Sequence, residues 1–226
     1  MVLKRDNFGS GGLFPPDAVA MKAEAQEAFD GLFARRPELS GIRKDVLSAF
    51  GMLVSAYAKG RKVLVCGNGG SAADAEHIVG ELLNKFKRHR PLPPELAARL
   101  PPHLASKLEY PLAAVSLSSM TGVLTAAAND ISWDLAFAQQ ALGLADEGDV
   151  LIAISTSGKS ANCIAAAEAA RAKGASVIAF TGAAPSPLAE VADVALAVPE
   201  RETFKVQELH ISLYHAICAA LEAELR

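Results

Sequence analysis

Four residues of types that bind metals or move protons fall on two predicted helices of this chain. His77 and Glu81 are four residues apart, so on a helix their side chains stack one turn from each other. Gln207 and His215 lie on a later helix, away from its apolar stripe. Imidazole nitrogens and carboxylate oxygens bind Zn²⁺, and the same glutamate and histidine could instead act as base and acid. The spacing fits equally a solvated helix face that carries a chance His/Glu pair.

The last predicted helix carries a second histidine, and helical spacing alone does not show whether it or His215 belongs to the site. His210 borders the apolar stripe of that helix, which favours a packed or hydrogen-bonded structural role. His215 shares its own side of the helix with Ile211, Cys218 and Ala219, which is unusually apolar for an outward side. We therefore predict a second buried face around His215, covered by another subunit.

A glycine-rich turn begins the helix that carries His77. An apolar run over 62–66 leads into Gly67-Asn68-Gly69-Gly70, and Ser71 with Asp74 gives an S-x-x-D capping signal at a helix start. Backbone N–H groups at a helix N-terminus favour an anion such as phosphate. No Gly-Lys-Ser/Thr follows, so the segment is not a P-loop. Taken alone, it fits any tight strand-to-helix turn.

A second turn makes phosphate binding the better interpretation. A buried strand over 149–154 runs into Ser155-Thr156-Ser157-Gly158-Lys159-Ser160, where four hydroxyl groups surround one glycine. If both strands belong to one parallel sheet, both turns lie at the edge where such sheets bind ligands. The pair therefore predicts a site for phosphate or a phosphorylated small molecule.

The remaining pattern predicts an α/β fold with a five-stranded parallel sheet covered by helices on both faces, a three-layer αβα arrangement. The predicted strands are 62–66, 112–117, 149–154, 176–180 and 194–198. The predicted helices are 17–33, 41–59, 71–86, 119–129, 132–142, 161–173 and 204–225, with two short ones at 94–100 and 103–108. We divide the chain into an N-terminal tail and first helix (1–40) and one domain (41–226).

Composition narrows the class of protein. The chain has 226 residues and a formal net charge of −3, without the basic stripe that nucleic-acid binding needs. We find no apolar run long enough for a membrane span and no signal region behind Met1. The three cysteines, Cys66, Cys163 and Cys218, lack metal-ligand spacing, so we expect buried free thiols and a reducing cytoplasm.

These motifs together resemble the sugar isomerase (SIS) domain family and, within it, the phosphoheptose isomerases. The resemblance extends over about 42–225. It rests on GNGGS before His77 and Glu81, on Asn129-Asp130, on the STSG of 155–158, and on Gln207-Glu208 with His210 and His215. STSG marks only the broad superfamily, whereas HxxxE after GNGGS combined with QExHxxxxH is far more specific.

The resemblance implies a role for each motif. It implies that the sugar phosphate is held by Ser71, Ser155, Thr156, Ser157 and Ser160. It implies further substrate contacts from Asn68, Gly69, Gly70, Glu81, Asn129, Asp130 and Gln207, with Asn68 and Asp130 at the sugar hydroxyls. One Zn²⁺ per active site would be bound by His77, Glu81, Gln207 and His215. Glu81 would move a proton between C1 and C2, with His215 as its acid/base partner.

The resemblance also implies the reaction and the assembly. The expected reaction converts sedoheptulose 7-phosphate into D-glycero-D-manno-heptose 7-phosphate, toward the heptoses of surface polysaccharide. The expected assembly is a homotetramer with active sites at subunit interfaces, to which the N-terminal helices contribute. A proline-rich insertion at about 88–111 departs from the family pattern. Two alternatives stay open: a non-catalytic SIS protein that binds a protein partner, such as a replication initiator, and a regulatory phosphosugar-binding module.

Overall fold

The computed structural model describes residues 21–225, and a parallel sheet of five strands lies at its centre. The strands are Val63–Gly67 (β1), Ala114–Ser116 (β2), Val150–Ile154 (β3), Ser176–Thr181 (β4) and Val194–Ala197 (β5). The helices before β3 are Ala23–Arg35 (α1), Arg43–Ala58 (α2), Gly70–Leu83 (α3), Pro94–Ala97 (α4), Pro102–Ala105 (α5), Thr121–Asp130 (α6) and Ala136–Leu144 (α7). The later helices are Ala161–Ala172 (α8), Pro187–Val191 (α9) and Thr203–Glu224 (α10). Two 3₁₀ helices span Pro37–Ile42 and Trp133–Leu135.

The order of the strands creates a crevice beside β1. The order is β2-β1-β3-β4-β5, and every neighbouring pair is parallel. The chain therefore leaves β1 for β2 on one side and returns to β3 on the other. At such a reversal the connections after the two strands diverge to opposite faces of the sheet, which leaves room for a ligand at their carboxyl ends.

The two faces of the sheet carry separate cores, because side chains alternate along each strand. Val63, Val65 and Ile152 point toward α1, α2, α3 and α10. Leu64 and Leu151 point toward the layer of α6, α7, α8 and α9. The expected single α/β domain with a parallel sheet between two helical layers is confirmed.

The N-terminal part of the described chain joins the larger core. Phe29 and Leu32 of α1 are fully buried, and α1 packs against α10. The predicted tail and the first residues of the helix expected from Asp17 lie outside the described residues.

The insertion at 88–111 contains two short helices, which are shorter than the expected 94–100 and 103–108, and neither α4 nor α5 has a buried residue. Its two ends are fixed to the domain instead. The buried guanidinium of Arg90 donates to the carbonyl oxygens of Leu82 and Asn84, and Tyr110 N–H donates to the Arg90 carbonyl. The insertion is therefore an anchored surface loop.

Two local predictions are wrong. Ser71 does not cap α3: Gly69, with φ 56°, takes the N-cap position, and Ser71 is buried within the first turn. The helix also ends at Leu83 rather than at Phe86, because the backbone N–H groups of residues 86–88 donate to the buried Glu222 carboxylate of α10.

The side of α10 that carries His215 needs a further correction. Cys218 is buried in this chain's own core, so only part of that side faces outward, and Ile211 is 39% exposed there. Cys66 and Cys163 are also buried free thiols, as expected. Within residues 21–225, no helix has the length and apolar character needed to cross a membrane.

Candidate active site

The two predicted phosphate turns lie side by side. Gly67 at the end of β1 is paired with Ile154 at the end of β3, so the segments that follow these strands start from neighbouring positions. In the second turn, Ser155 is buried and its Oγ lies 2.9 Å from Ser160 Oγ, while Thr156 is half-buried and Ser157 is exposed. The paired strands thus bring hydroxyl groups and the N-terminus of α3 to one end of the crevice.

A pair of side-chain amides joins the two turns. Asn68 Nδ2 donates to Asn162 Oδ1 at 2.8 Å, and Asn162 Nδ2 donates back to Asn68 Oδ1 at 2.9 Å. The structure therefore brings Asn68 to the site, but its amide holds the first turn against α8. Asn162 is a residue whose role the sequence analysis missed, and its place at the first turn of α8 was the available signal.

His77 and Glu81 of α3 meet His215 of α10 at the surface between these helices. His77 Nε2 lies 3.0 Å from Glu81 Oε1 and 3.4 Å from His215 Nε2. One nitrogen or oxygen atom from each of the three residues lies within 4.8 Å of the others. Two imidazoles and a carboxylate are a donor set that suits Zn²⁺, so the residues present fit such an ion.

A buried hydroxyl contacts the inner side of His77. Tyr214 Oη lies 2.9 Å from His77 Nδ1 and donates to Asp74 Oδ1 at 3.2 Å. Burial raises the pKa of both Tyr214 and Asp74, and the hydrogen bond from Tyr214 opposes the rise for Asp74. The sequence analysis missed Tyr214, since only the packing of α10 on α3 reveals its contact.

The structure shows which of the two histidines of α10, His210 or His215, belongs to the cluster. His210 is fully buried and its Nε2 lies 3.2 Å from the Thr181 carbonyl oxygen, so it is a structural residue. Burial lowers the pKa of His210 from 6.5 to about 4. His215 is half-buried, and burial, followed by the neighbouring His77, lowers its pKa as well. Both effects favour a neutral imidazole, the form that can bind a metal.

Gln207 lies at the other end of the same helix pair. A Cβ atom placed on Gly70 would be 2.3 Å from Gln207 Nε2, so the amide rests directly on the first turn of α3. His77 is seven residues further along, about 10 Å of helix rise. The amide therefore faces the phosphate turns, and its predicted metal contact stays a prediction. A groove of about 450 Å³ runs past it, lined by Arg36, Gly70, Asp74, Phe204, Gln207, Glu208 and Ile211.

Asn129 and Asp130 lie apart from these groups. They end α6 with exposed side chains, and Asn129 Nδ2 donates to Asp130 Oδ1 at 2.7 Å. Within residues 21–225, no hydrogen bond joins either side chain to the serine turn or to the His77 cluster. Their expected contact with the sugar stays a prediction.

Comparison with known proteins shows which family the chain resembles. Residues 40–182 match the family model described as the SIS domain. The phosphoheptose isomerase of Thiobacillus denitrificans is 40% identical over 208 residues, which span 90% of this chain and 92% of the relative.

Solved structures give the same result. The phosphoheptose isomerase of Neisseria gonorrhoeae superimposes with a TM-score of 0.70 at 34% identity, over 88% of this chain and 96% of that one. The corresponding enzyme of Francisella tularensis gives a TM-score of 0.71 at 29% identity, over 89% and 96%.

Proposed function

We propose that this chain, which belongs to the SIS domain family and within it to the phosphoheptose isomerases, converts sedoheptulose 7-phosphate into D-glycero-D-manno-heptose 7-phosphate. The observation that carries the proposal is the meeting of His77, Glu81 and His215 beside two turns suited to phosphate. Its product would enter heptose synthesis for surface polysaccharide, and we expect the enzyme in the cytoplasm.

The reaction needs one proton moved between adjacent carbons. The ketose loses a proton from C1, which gives an enediol, and a proton is then added to C2. In the same conversion the oxygen on C1 loses its hydroxyl proton and the oxygen on C2 gains one. Glu81 is our candidate for the carbon proton carrier, because its carboxylate has two oxygens and only Oε1 faces His77. A single carboxylate can carry the proton from C1 to C2 only if the sugar stays in place, and the phosphate site would hold it there.

The phosphate would be held by the hydroxyl groups of the second turn and the first turn of α3. Ser155 and Ser160 already contact each other, so an arriving phosphate would replace that hydrogen bond. Exposed Ser157 and half-buried Thr156 offer further donors, and Ser71 adds a position at the helix start. Glycine at position 69 lets an anion approach the backbone without meeting a side chain, since a Cβ there would meet no atom within 4 Å.

We assign the metal to His77, Glu81 and His215 and keep Gln207 as the proposed fourth ligand. When bound, zinc would supply an electrophile that stabilises negative charge on the sugar oxygens. If His215 instead exchanges the proton at a sugar oxygen, then His215→Gln would keep zinc bound while turnover falls. If His215 is a ligand, the same variant would lose zinc.

A homotetramer with shared active sites would cover the apolar surface that the single chain exposes. Phe204 and Ile211 are 57% and 39% exposed beside the Gln207 groove, and Trp133 is 49% exposed on the opposite layer. Large exposed apolar side chains grouped beside a functional site are typical of subunit interfaces. Sedimentation velocity tests this assignment, and a monomer with full turnover would contradict it.

A non-catalytic role would not require the metal-binding set. A phosphosugar-binding module or a partner-binding SIS protein needs the serine turn or a docking surface, but not an ordered His77–Glu81–His215 cluster. That cluster is therefore the feature that favours the enzyme.

The test separates chemistry from binding. Glu81→Gln should abolish turnover while sedoheptulose 7-phosphate still binds, as measured by calorimetry. Glu76→Gln is the matched control, because Glu76 is exposed on the same helix and its side chain is outside the cluster. Loss of substrate binding together with turnover in Glu81→Gln would mean that Glu81 is structural.

A further inference from the structure

Tyr214 is a buried tyrosine whose hydroxyl reaches toward the proposed metal site from inside the protein. Only 2% of the residue is exposed, and its ring lies among Ile78, Leu82 and Phe180 between the helices and the sheet. A tyrosine hydroxyl taken out of water needs hydrogen-bond partners to offset its lost hydration. Both of its partners are on α3: Asp74 Oδ1 at 3.2 Å and His77 Nδ1 at 2.9 Å.

The donor count settles how these three groups bond. A tyrosine has one O–H, and a carboxylate can only accept, so Tyr214 donates to Asp74. With that proton committed, the contact with His77 is a hydrogen bond only if Nδ1–H donates to Tyr214 Oη. An imidazole that keeps its proton on Nδ1 can offer the lone pair of Nε2 to a metal ion. That nitrogen faces Glu81 Oε1 and His215 Nε2, and in the absence of a metal ion it can carry a second proton that it donates to the carboxylate.

From this network we propose that Tyr214 is a positioning residue, which connects Asp74 to His77 and presents the Nε2 lone pair of His77 to the metal. The inference rests on the metal site of the proposed function. It adds that α10 contributes to that site through two neighbouring residues. His215 supplies a metal-binding atom, and Tyr214 orients His77 of α3. Asp74 Oδ2 is buried without a hydrogen-bond partner, so the carboxylate depends on Tyr214 within the described residues.

The arrangement makes the site sensitive to the packing of two helices. Asp74 and His77 are three residues apart, on one face of α3, and a single hydroxyl of α10 contacts both. Groups that bond the second ring nitrogen of a metal-binding histidine typically contribute 10- to 100-fold in metal affinity. Removing the Tyr214 hydroxyl should therefore weaken zinc binding although it touches no metal.

Tyr214→Phe removes the hydroxyl and keeps the ring. We expect its zinc dissociation constant, measured by competition with a chromogenic chelator, to rise about 10- to 100-fold. Tyr57→Phe is the matched control, because it removes a hydroxyl that donates to the Ala113 carbonyl and not to Asp74 or to the His77, Glu81 and His215 cluster. Its zinc affinity should equal that of the wild type. Equal affinity in Tyr214→Phe and the wild type would overturn the proposal.

A second measurement on the unaltered protein does not depend on how the variant folds. Nitrogen-15 NMR of the metal-free wild type should show a proton on His77 Nδ1, whether or not Nε2 also donates one to Glu81, with the resonance assigned by its disappearance in His77→Gln. A His77 ring protonated on Nε2 alone would overturn the proposal. If Nδ1 carries the proton but the wild type binds no zinc, the metal assignment of the proposed function fails while the role of Tyr214 in fixing that proton stands.

Discussion

The substitution Gly70→Ala adds one methyl group and tests whether turnover requires the Gln207 amide in its present position. A Cβ on Gly70 would be 2.3 Å from Gln207 Nε2 and 3.0 Å from Gln207 Cδ. Ordinary contacts begin near 3.4 Å, so the amide of Gly70→Ala must move by about 1 Å. A displacement of about 1 Å in a substrate-positioning group can cost about 100-fold in rate. We therefore expect kcat/KM for sedoheptulose 7-phosphate to fall about 100-fold, which is about 2.7 kcal/mol of transition-state stabilisation.

Gly80 supplies the matched control on the same helix. A Cβ there meets no atom within 4 Å, so Gly80→Ala should leave kcat/KM unchanged and raise the free energy of unfolding by up to about 1 kcal/mol. Gly70→Ala should change the free energy of unfolding little, because the atoms that must move are at the end of the flexible Gln207 side chain. If Gly70→Ala turns over like the wild type while its crystal structure shows the amide displaced, then Gln207 does not act on the substrate and this reasoning is wrong.

Three further predictions concern other parts of the chain. Because burial lowers the pKa of His210 from 6.5 to about 4, the unfolded state binds the extra proton, and stability should fall as the pH drops below 6.5. Between pH 7.5 and 5 the wild type should lose about 2 kcal/mol more than His210→Asn in urea unfolding, and equal losses would contradict the shift. Glu222→Gln removes the charge that accepts three backbone N–H groups, so it should lower the free energy of unfolding by about 2–4 kcal/mol, and a change below about 0.5 kcal/mol would count against that role. Asn162→Ala breaks the reciprocal amide pair with Asn68, so KM for the phosphosugar should rise about 5- to 30-fold in steady-state assays, and an unchanged KM would mean that the pair does not order the turns.

The sheet and its helices could be predicted because each strand is a short apolar run and each helix repeats its apolar residues at helical spacing. The meeting of the two turns followed from the same pattern, since parallel neighbouring strands end at one edge. His77 and Glu81 were also predictable as a pair, because helical spacing alone sets their contact.

What could not be predicted depends on how helices pack. The contact of Tyr214 with His77 requires the register between α10 and α3, which no local pattern encodes. The same register places Glu222 where it ends α3 early, and it buries Cys218 in this chain's own core, on a side that we expected another subunit to cover. The failed cap at Ser71 has a different cause: Gly69 adopts a positive φ of 56°, so the chain turns two residues earlier than the capping motif predicts.

The most direct test of the account is turnover of sedoheptulose 7-phosphate by the purified protein, after chelation and again after zinc is added back. The account predicts that chelated protein loses turnover and that zinc restores it, with D-glycero-D-manno-heptose 7-phosphate as the product. Absence of turnover in both states, from protein that is folded and binds the phosphosugar, would contradict it and favour a binding protein instead.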